Sequence, residues 1–385
     1  MSEIKVNSIK GVGASAAAIT VNNTDGTCTA NITNNLSNRN LIINGAMQVS
    51  QRGTSSTSSG FYTVDRLQVN FTGTNEAPTQ AQVALSSSDT PYSSGFRFAY
   101  KVTNGNQTSG GGAGKFISYK TTIEAQDIAQ SGWNYTSSSS NVTLSFWVKA
   151  SVAQTYFGRL QTYDGTAQNY PFSFALSANT WTKVTKTIPG NSNLQFDNNN
   201  AEGLLLEIVP YYGNDYTNGS MSVDAWAAYS DRTPSNTATW YETDDATFEI
   251  TGIQLEVGSV ATDFEHRSFA DELLKCQRYC YVLCEGLNTP LGNGTCWTAS
   301  NVFIPVIYPV KMRSGPTMSV VTGTNYYSHF YGGTSANESG ANFSLAVSLS
   351  TGCEIYDNST NVTQNASCFS RNQNAACKIT LSAEL

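Results

Sequence analysis

The segment 248–258 has the pattern of a β-strand that closes a folded module. Phe248 and Ile250 alternate with polar residues, and Leu255 continues the apolar set, which is typical of a half-buried strand. Gly252 lies inside the segment and predicts a bulge. We therefore expect a β-sheet module to be complete at this point of the chain.

The residues that follow have helical character. Ser268 precedes Asp271 and Glu272, and apolar residues continue at helical spacing up to Lys275. Serine is a favoured N-cap, and acidic side chains in the first turn suit the helix dipole. The sequence therefore predicts a short helix after Ser268 and a domain boundary beside it.

The composition favours an all-β protein. The chain has 385 residues, enough for two or three domains, and only 13% of them are charged;. The polar surface must come from Ser, Thr, Asn and Gly, which favour turns and strand edges over helices. A net charge of -7 and a pI near 4.9, without basic clusters, argue against a nucleic-acid partner.

Short apolar alternations recur on both sides of the predicted boundary. In 40–267 they predict a jelly-roll-like β-sandwich, because a jelly roll closes many strands without long bare edges; in this it is similar to carbohydrate-binding modules. In 268–385 they predict a smaller C-terminal β-sandwich after the helix. The clearest predicted strands are 67–71, 142–148, 182–188, 204–209, 302–308, 343–349 and 378–381.

The first 39 residues form a polar segment that is too short to bury a core alone. Ile4, Val6 and Ile9 alternate with polar residues, so the segment is either a disordered leader or a set of strands that pair with other copies or with a docking partner. The alternation favours an attachment segment. Without a signal peptide or a long apolar run, we expect synthesis in the cytoplasm.

Catalytic and metal-binding patterns are weak. The pair Asp244 and Asp245 reads as a turn before a strand, and neither His266 nor His329 has a strained serine elbow beside it;. Cys276 opens a set of three cysteines at four-residue spacing, but no Cys-x-x-Cys pair exists, so reduced thiols are expected rather than a zinc site. We predict no catalytic residue and no enzyme activity.

Two aromatic clusters are candidate glycan-binding sites, because aromatic rings stack on sugars at low entropic cost. Each cluster lies beside a glycine turn, where recognition loops tend to be found. The alternative is that every second residue of a cluster faces the core. The candidates are Tyr326, Tyr327, His329, Phe330 and Tyr331 in the C-terminal part, and Tyr211, Tyr212 and Tyr216 in the first sandwich.

A set of distant motifs occurs in a fixed order along the chain. They are Asn40-Leu41-Ile42-Ile43-Asn44-Gly45, Gln51-Arg52-Gly53, Asp65-Arg66, Ala261-Thr262-Asp263-Phe264-Glu265-His266-Arg267-Ser268, Glu272-Leu273, Cys276, Gln277-Arg278-Tyr279, Pro309-Val310-Lys311-Met312-Arg313-Ser314 and Ile379-Thr380-Leu381-Ser382-Ala383-Glu384-Leu385. Together they resemble the module boundaries of bacteriophage tail fibres and other phage receptor-binding structural proteins.

The resemblance implies a virion structural protein, and a tail fibre is the role we expect for it. Such proteins are usually homotrimers, attach to a tail adaptor, nozzle or other virion protein by their N-terminus, and recognise a bacterial surface glycan or outer-membrane receptor. Jelly rolls of the carbohydrate-binding type often hold a structural calcium near their opening and closing strands, where Asn44 and Asp263 lie here;. No other cofactor is expected.

Two alternatives stay open at this stage. A polysaccharide depolymerase would cleave host capsule, and a head decoration or vertex appendage would bind no receptor. The motifs mark structural modules that phage appendages share, so they do not choose between head and tail.

Overall fold

The computed structural model describes residues 8–9, 19–21, 28–30, 38–358 and 361–385. Within the first 39 residues, three short antiparallel strands form a sheet of their own: β1 (Ser8–Ile9), β2 (Ile19–Val21) and β3 (Cys28–Ala30). The predicted attachment residue Ile9 lies in β1 and is about half exposed. The other two, Ile4 and Val6, lie outside the described residues.

Two six-stranded antiparallel sheets pack face to face between residues 55 and 257, which confirms the predicted β-sandwich. The strands are β4 (Ser55–Ser56), β5 (Gln68–Thr72), β6 (Thr79–Ala84), β7 (Phe98–Thr103), β8 (Phe116–Glu124), β9 (Asn141–Ala150), β10 (Gln154–Thr162), β11 (Gln168–Leu176), β12 (Thr182–Pro189), β13 (Glu202–Tyr212), β14 (Ala227–Ala228) and β15 (Thr247–Val257).

Sheet I has the strand order β12-β9-β15-β7-β6-β4, and sheet II has the order β14-β11-β10-β13-β8-β5. The closing strand β15 is central in sheet I, with a register shift between Thr251 and Gln254 at the predicted bulge. The core between the sheets is aromatic: Trp240, Tyr100 and Phe248 are fully buried.

A second, smaller β-sandwich follows between residues 280 and 382. Its strands are β16 (Cys280–Glu285), β17 (Pro290–Cys296), β18 (Val302–Ile307), β19 (Thr317–Val320), β20 (Tyr327–Tyr331), β21 (Thr334–Glu338), β22 (Phe343–Ser348), β23 (Gly352–Asp357), β24 (Ser367–Asn372) and β25 (Lys378–Ser382). Sheet III has the order β16-β25-β19, and sheet IV has the order β21-β20-β24-β17-β18-β23-β22.

Helices are few and short in the part of the chain that the structure describes. They are α1 (Thr90–Ser93), α2 (Ala125–Ala129), α3 (Thr239–Glu242), α4 (Phe269–Gln277) and a 3-10 turn at Asn214–Tyr216. Helix α4 confirms the predicted helix, and the Ser268 side chain accepts a hydrogen bond from the Asp271 amide at 3.2 Å. None of these helices has the length and hydropathy that a membrane span requires.

Candidate functional site

The motifs of the sequence meet in space where the two sandwiches join. Arg66 of the first sandwich pairs with Glu384 near the C-terminus, and its guanidinium lies 3.5 Å from the ring centre of Tyr279. Arg52 is 3.2 Å from Glu384. This contact between the sandwiches, here called the joint, therefore combines residues from four separate motifs.

A buried carboxylate completes this joint. Glu124, at the end of β8, accepts hydrogen bonds from Arg278 Nε at 2.6 Å and from the Tyr279 hydroxyl at 2.5 Å. Burial raises the pKa of Glu124, but the hydrogen bonds from Arg278 and Tyr279 outweigh that effect and lower it. Lys378 also donates to the Gln51 carbonyl at 2.6 Å. The motifs thus hold two sandwiches together rather than forming an exposed ligand site.

The side chain of Asn44, one of the two residues considered for calcium, is hydrogen-bonded within the protein. Its Nδ2 donates to the carbonyls of Val49 and Asp65 at 2.8 and 2.9 Å, and its Oδ1 accepts from the Val49 amide. The side chain fixes a turn with a left-handed backbone, φ +60°. Among the described residues no three His, Cys, Asp or Glu side chains gather as metal ligands would.

The predicted tyrosines of the first sandwich are not exposed for stacking. Tyr211 and Tyr212 are 5% and 1% exposed, which corrects their assignment as ligand contacts. Tyr211 packs on Tyr241 with ring centres 4.5 Å apart. Tyr216 is half-buried and stacks under the guanidinium of Arg232 at 4.6 Å.

Tyr211 belongs to the core between the sheets, whereas Tyr212 is covered by residues 213–238, here called the covering segment, through Arg232. This segment lies over the outer face of sheet II, where Asn169 donates to the carbonyls of Asp231 and Arg232 at 2.9 Å. Beneath it, Arg159 donates to Glu207 at 2.7 Å, and both side chains are buried. The covering segment therefore closes this sheet face to a bulky ligand.

The C-terminal candidates divide into buried and half-buried residues. Tyr327 and His329 are 1% and 0% exposed, so they are core residues and not ligand contacts. Phe330 and Tyr331 are half-buried, and so is Tyr326. Because the cluster forms a strand and a hairpin turn rather than a loop, Tyr327, His329 and Tyr331 share one face of β20 and Phe330 lies on the other;.

His329 takes part in a buried polar trio. Its Nδ1 lies 2.7 Å from Ser370 Oγ and its Nε2 lies 3.0 Å from Asp357 Oδ2. The residue types are those of a hydrolase triad, but all three side chains are at most 1% exposed. The serine oxygen cannot meet a substrate there, so this geometry serves the packing of sheet IV.

An exposed aromatic platform lies on the outer face of sheet IV. Phe330 on β20 is directly opposite Phe369 on β24, with ring centres 6.2 Å apart at 36°. The Arg371 guanidinium lies over Phe330 at 4.6 Å, and its Nε is buried without a hydrogen-bond partner. Asn293 of β17 follows Phe369 in the same row. We call Phe330, Phe369, Arg371 and Asn293 the aromatic platform.

The platform borders an open groove of about 930 Å³ beside the Gly332–Gly333 turn. On the same sheet face, Phe303 and Tyr356 form a second ring pair, 4.8 Å between centres. The sequence missed Phe369 and Arg371, although Ser367, Phe369 and Arg371 alternate with buried residues as an exposed strand face should;. The groove offers aromatic faces with amide, hydroxyl and cationic groups around them.

Comparison with known proteins gives distant matches only. No protein-family model and no curated protein matches the sequence. The enzymatically active domain of tailspike protein 4 of bacteriophage CBA120 is 12% identical over 57% of this chain, with a TM-score of 0.31. The matched region covers 21% of that chain, so this protein spans about a fifth of its length.

Carbohydrate-binding modules also match. The family 11 module of the cellulase Lic26A-Cel5E of Clostridium thermocellum is 12% identical, with 56% of this chain and 98% of that one covered and a TM-score of 0.28. The tandem CBM22-1 and CBM22-2 of Paenibacillus barcinonensis Xyn10C is 8% identical, with 90% and 98% covered and a TM-score of 0.27. At such identities and TM-scores the matches carry no inference about ligand or activity.

Proposed function

We propose that the protein is a glycan-binding structural component of a phage virion, a tail fibre that attaches to bacteria without a catalytic step. The exposed pair of Phe330 and Phe369 on sheet IV carries this proposal. Burial hides most large aromatic side chains of the chain, whereas Phe369 is 38% exposed. Exposed aromatic faces beside polar groups are suited to stacking on sugar rings.

The surroundings of the pair favour a glycan of more than one unit. The two ring pairs of sheet IV, Phe330 with Phe369 and Phe303 with Tyr356, are separated by β17. A separation of two strand spacings is about 10 Å. The exposed amide of Asn293 supplies donors for sugar hydroxyls beside the rings.

The virion role is supported by the motifs of the sequence. One joint between the sandwiches contains residues from distant motifs, such as Arg52, Arg66, Tyr279 and Glu384. The motifs that resemble fibre module boundaries therefore share one structural role. In this proposal the chain is a homotrimer, and residues 1–39 dock on a tail adaptor. The sheet of β1, β2 and β3 with its exposed Ile9 has outer edges at β1 and β3 that pair with no other described strand, and such edges suit docking.

Binding of purified, labelled full-length protein to susceptible and resistant bacterial strains tests the proposal. The double variant Phe330→Ala with Phe369→Ala removes the platform, and Tyr163→Ala, an exposed tyrosine of the first sandwich, is the matched control. We expect binding to susceptible cells only, lost in the double variant and kept in the control. Equal binding by the double variant and the wild type would exclude the platform as receptor site.

Two further measurements separate the alternatives. Sedimentation equilibrium should give three times the 41.4 kDa chain mass, and a monomer would exclude the homotrimer. Incubation of purified capsule with the protein should release no reducing ends, and release would favour the depolymerase. Immunogold labelling of whole virions distinguishes a tail fibre from a head decoration.

A further inference from the structure

A second groove lies on the first sandwich, far along the chain from the platform residues. It has a volume of about 490 Å³ on the outer face of sheet I, between the turn after α1 and the segment 262–266. Its walls include Trp147, Lys183, Phe264 and His266. On this face Trp147 packs beside Phe96 and Phe264, and all three side chains line the groove.

The bulge in β15 shapes the floor of this groove. Trp147 of β9 pairs with Thr251, and pairing resumes only between Ser145 and Gln254. Gly252 and Ile253 of β15 thus lie opposite the single residue Phe146 of β9, and this one extra residue bends the strand. At Gly252 the backbone has φ +63°, and a Cβ there would lie 2.6 Å from the Phe96 ring, so only glycine keeps this concave floor.

Trp147 presents both a ring face and an unused donor. It lies on the outer side of β9 and is half-buried. The indole N–H groups of Trp133, Trp181, Trp226 and Trp240 each donate to a protein oxygen. No such bond exists for Trp147 within the described part of the chain, although partly buried indoles usually find a partner. A ligand hydroxyl in the groove would supply that acceptor.

Lys183 adds a positive charge that is not paired by any residue the structure describes. It is exposed and lies directly opposite Trp147 in the strand register. Two other lysines near it are paired: Lys149 lies 3.2 Å from Glu249, and Lys186 lies 3.1 Å from Asp224. Lys183 forms no ion pair with any described residue. An anionic ligand group would therefore meet an available cation beside an aromatic face.

His266 forms the opposite wall. Its Nε2 is 2.8 Å from the Ser94 carbonyl, which orients the ring and leaves Nδ1 for another partner. The groove thus combines a stacking face, a cation and an imidazole.

We infer that this groove binds an acidic sugar unit, with the ring stacked on Trp147 and the carboxylate paired with Lys183. The inference rests on the proposed function only in taking a surface glycan as the ligand. It predicts that one chain holds two separate glycan contacts, which would raise avidity on a bacterial surface.

Calorimetric titration of the full chain with trigalacturonic acid tests the inference, and the trimethyl ester of this acid is the neutral probe. We expect Lys183→Gln to weaken binding of the acid about tenfold and binding of the ester little, since a hydrogen bond to a charged group is lost only for the acid. Lys186→Gln changes the same charge on the same strand and should leave binding unchanged. Trp147→Ala should abolish binding of both probes.

Three outcomes would overturn the inference: no binding of the acid at millimolar concentration, equal affinity for acid and ester, or equal effects of Lys183→Gln and Lys186→Gln. Trp147→Phe preserves a ring and should keep partial binding, which guards against loss of folding in Trp147→Ala. The double variant Phe330→Ala with Phe369→Ala should bind the acid like the wild type. Its loss of cell binding therefore tests the platform separately from this groove.

Discussion

The guanidinium of Arg66 lies flat on the ring of Tyr279, 3.5 Å from its centre, so a residue of the first sandwich stacks on a residue of the second. The same guanidinium pairs with Glu384 and donates to the Thr122 carbonyl at 2.6 Å. The backbone of Arg66 is left-handed, φ +68°, which costs a non-glycine residue about 1–2 kcal/mol. The side-chain contacts offset this strain, and the joint is therefore fixed at both backbone and side chain.

Arg66→Ala should lower the free energy of unfolding by about 3 kcal/mol, because it leaves the buried Glu384 with Arg52 as its remaining partner and removes the stacking on Tyr279. Urea denaturation followed by tryptophan fluorescence measures this loss. Arg97→Ala, at an exposed position, is the control and should change stability by less than about 0.5 kcal/mol. Equal losses in the two variants would contradict the role of the joint.

Asp65 should make the joint sensitive to pH between about 4 and 6. Burial raises the pKa of Asp65 from 3.8 to about 6, although Arg52 and Gln51 act against the rise. The folded chain therefore keeps a proton that the unfolded chain has released, and the stabilisation is lost as the pH rises through this window. A shift of this size corresponds to about 3 kcal/mol.

The difference in stability between wild type and Asp65→Asn, measured from pH 4 to pH 6, isolates this effect, because other groups titrate equally in both. We expect the wild type to lose stability relative to Asp65→Asn as the pH rises. Asp197→Asn, at an exposed position, should show no such trend. If the stabilities of wild type and Asp65→Asn changed in parallel from pH 4 to pH 6, the prediction would be wrong.

Glu207 should make the stability of the folded chain depend on pH in the opposite direction, and at lower pH. Burial raises the pKa of Glu207, but attraction by Arg159 and Lys120 outweighs it and holds the pKa at about 2. The unfolded chain then binds the proton first, so stability falls as the pH drops from about 4.5 to 2. Glu207→Gln should remove this acid dependence and, at neutral pH, cost about 3–5 kcal/mol, because Arg159 stays buried without its carboxylate. Acid titration of the circular dichroism signal measures both.

Much of the fold follows from local sequence patterns. Strand β15 with its bulge, the Ser268 cap of α4 and the alternation in β9 are all read from side-chain spacing. A two-residue period describes a strand wherever its neighbours lie. The pairing of strands distant in sequence is set by packing, so the orders of sheets II and IV could not be derived.

The candidate sites were only partly predictable for the same reason. The sequence marks Tyr327, His329 and Phe330 as one aromatic cluster, but only the placement of β20 inside sheet IV decides that Phe330 alone of these three turns outward. Burial of Tyr212 depends on the covering segment, which has no periodic pattern. Phe369 joins Phe330 through a register between residues 39 positions apart along the chain, which no local pattern specifies.

The trio of Ser370, His329 and Asp357 should act as a packing element and not as a catalytic group. Ser370→Ala leaves the buried His329 Nδ1 without its partner at 2.7 Å, so the free energy of unfolding should fall by about 1–3 kcal/mol. Ser367→Ala, an exposed serine of the same strand, should cost less than about 0.5 kcal/mol. Urea denaturation compares the two variants, and a capsule-cleavage assay on the same samples should give no activity for either variant or the wild type. Cleavage by the wild type that disappears in Ser370→Ala alone would mean that this buried serine opens to substrate, and the depolymerase would then replace the adhesive role.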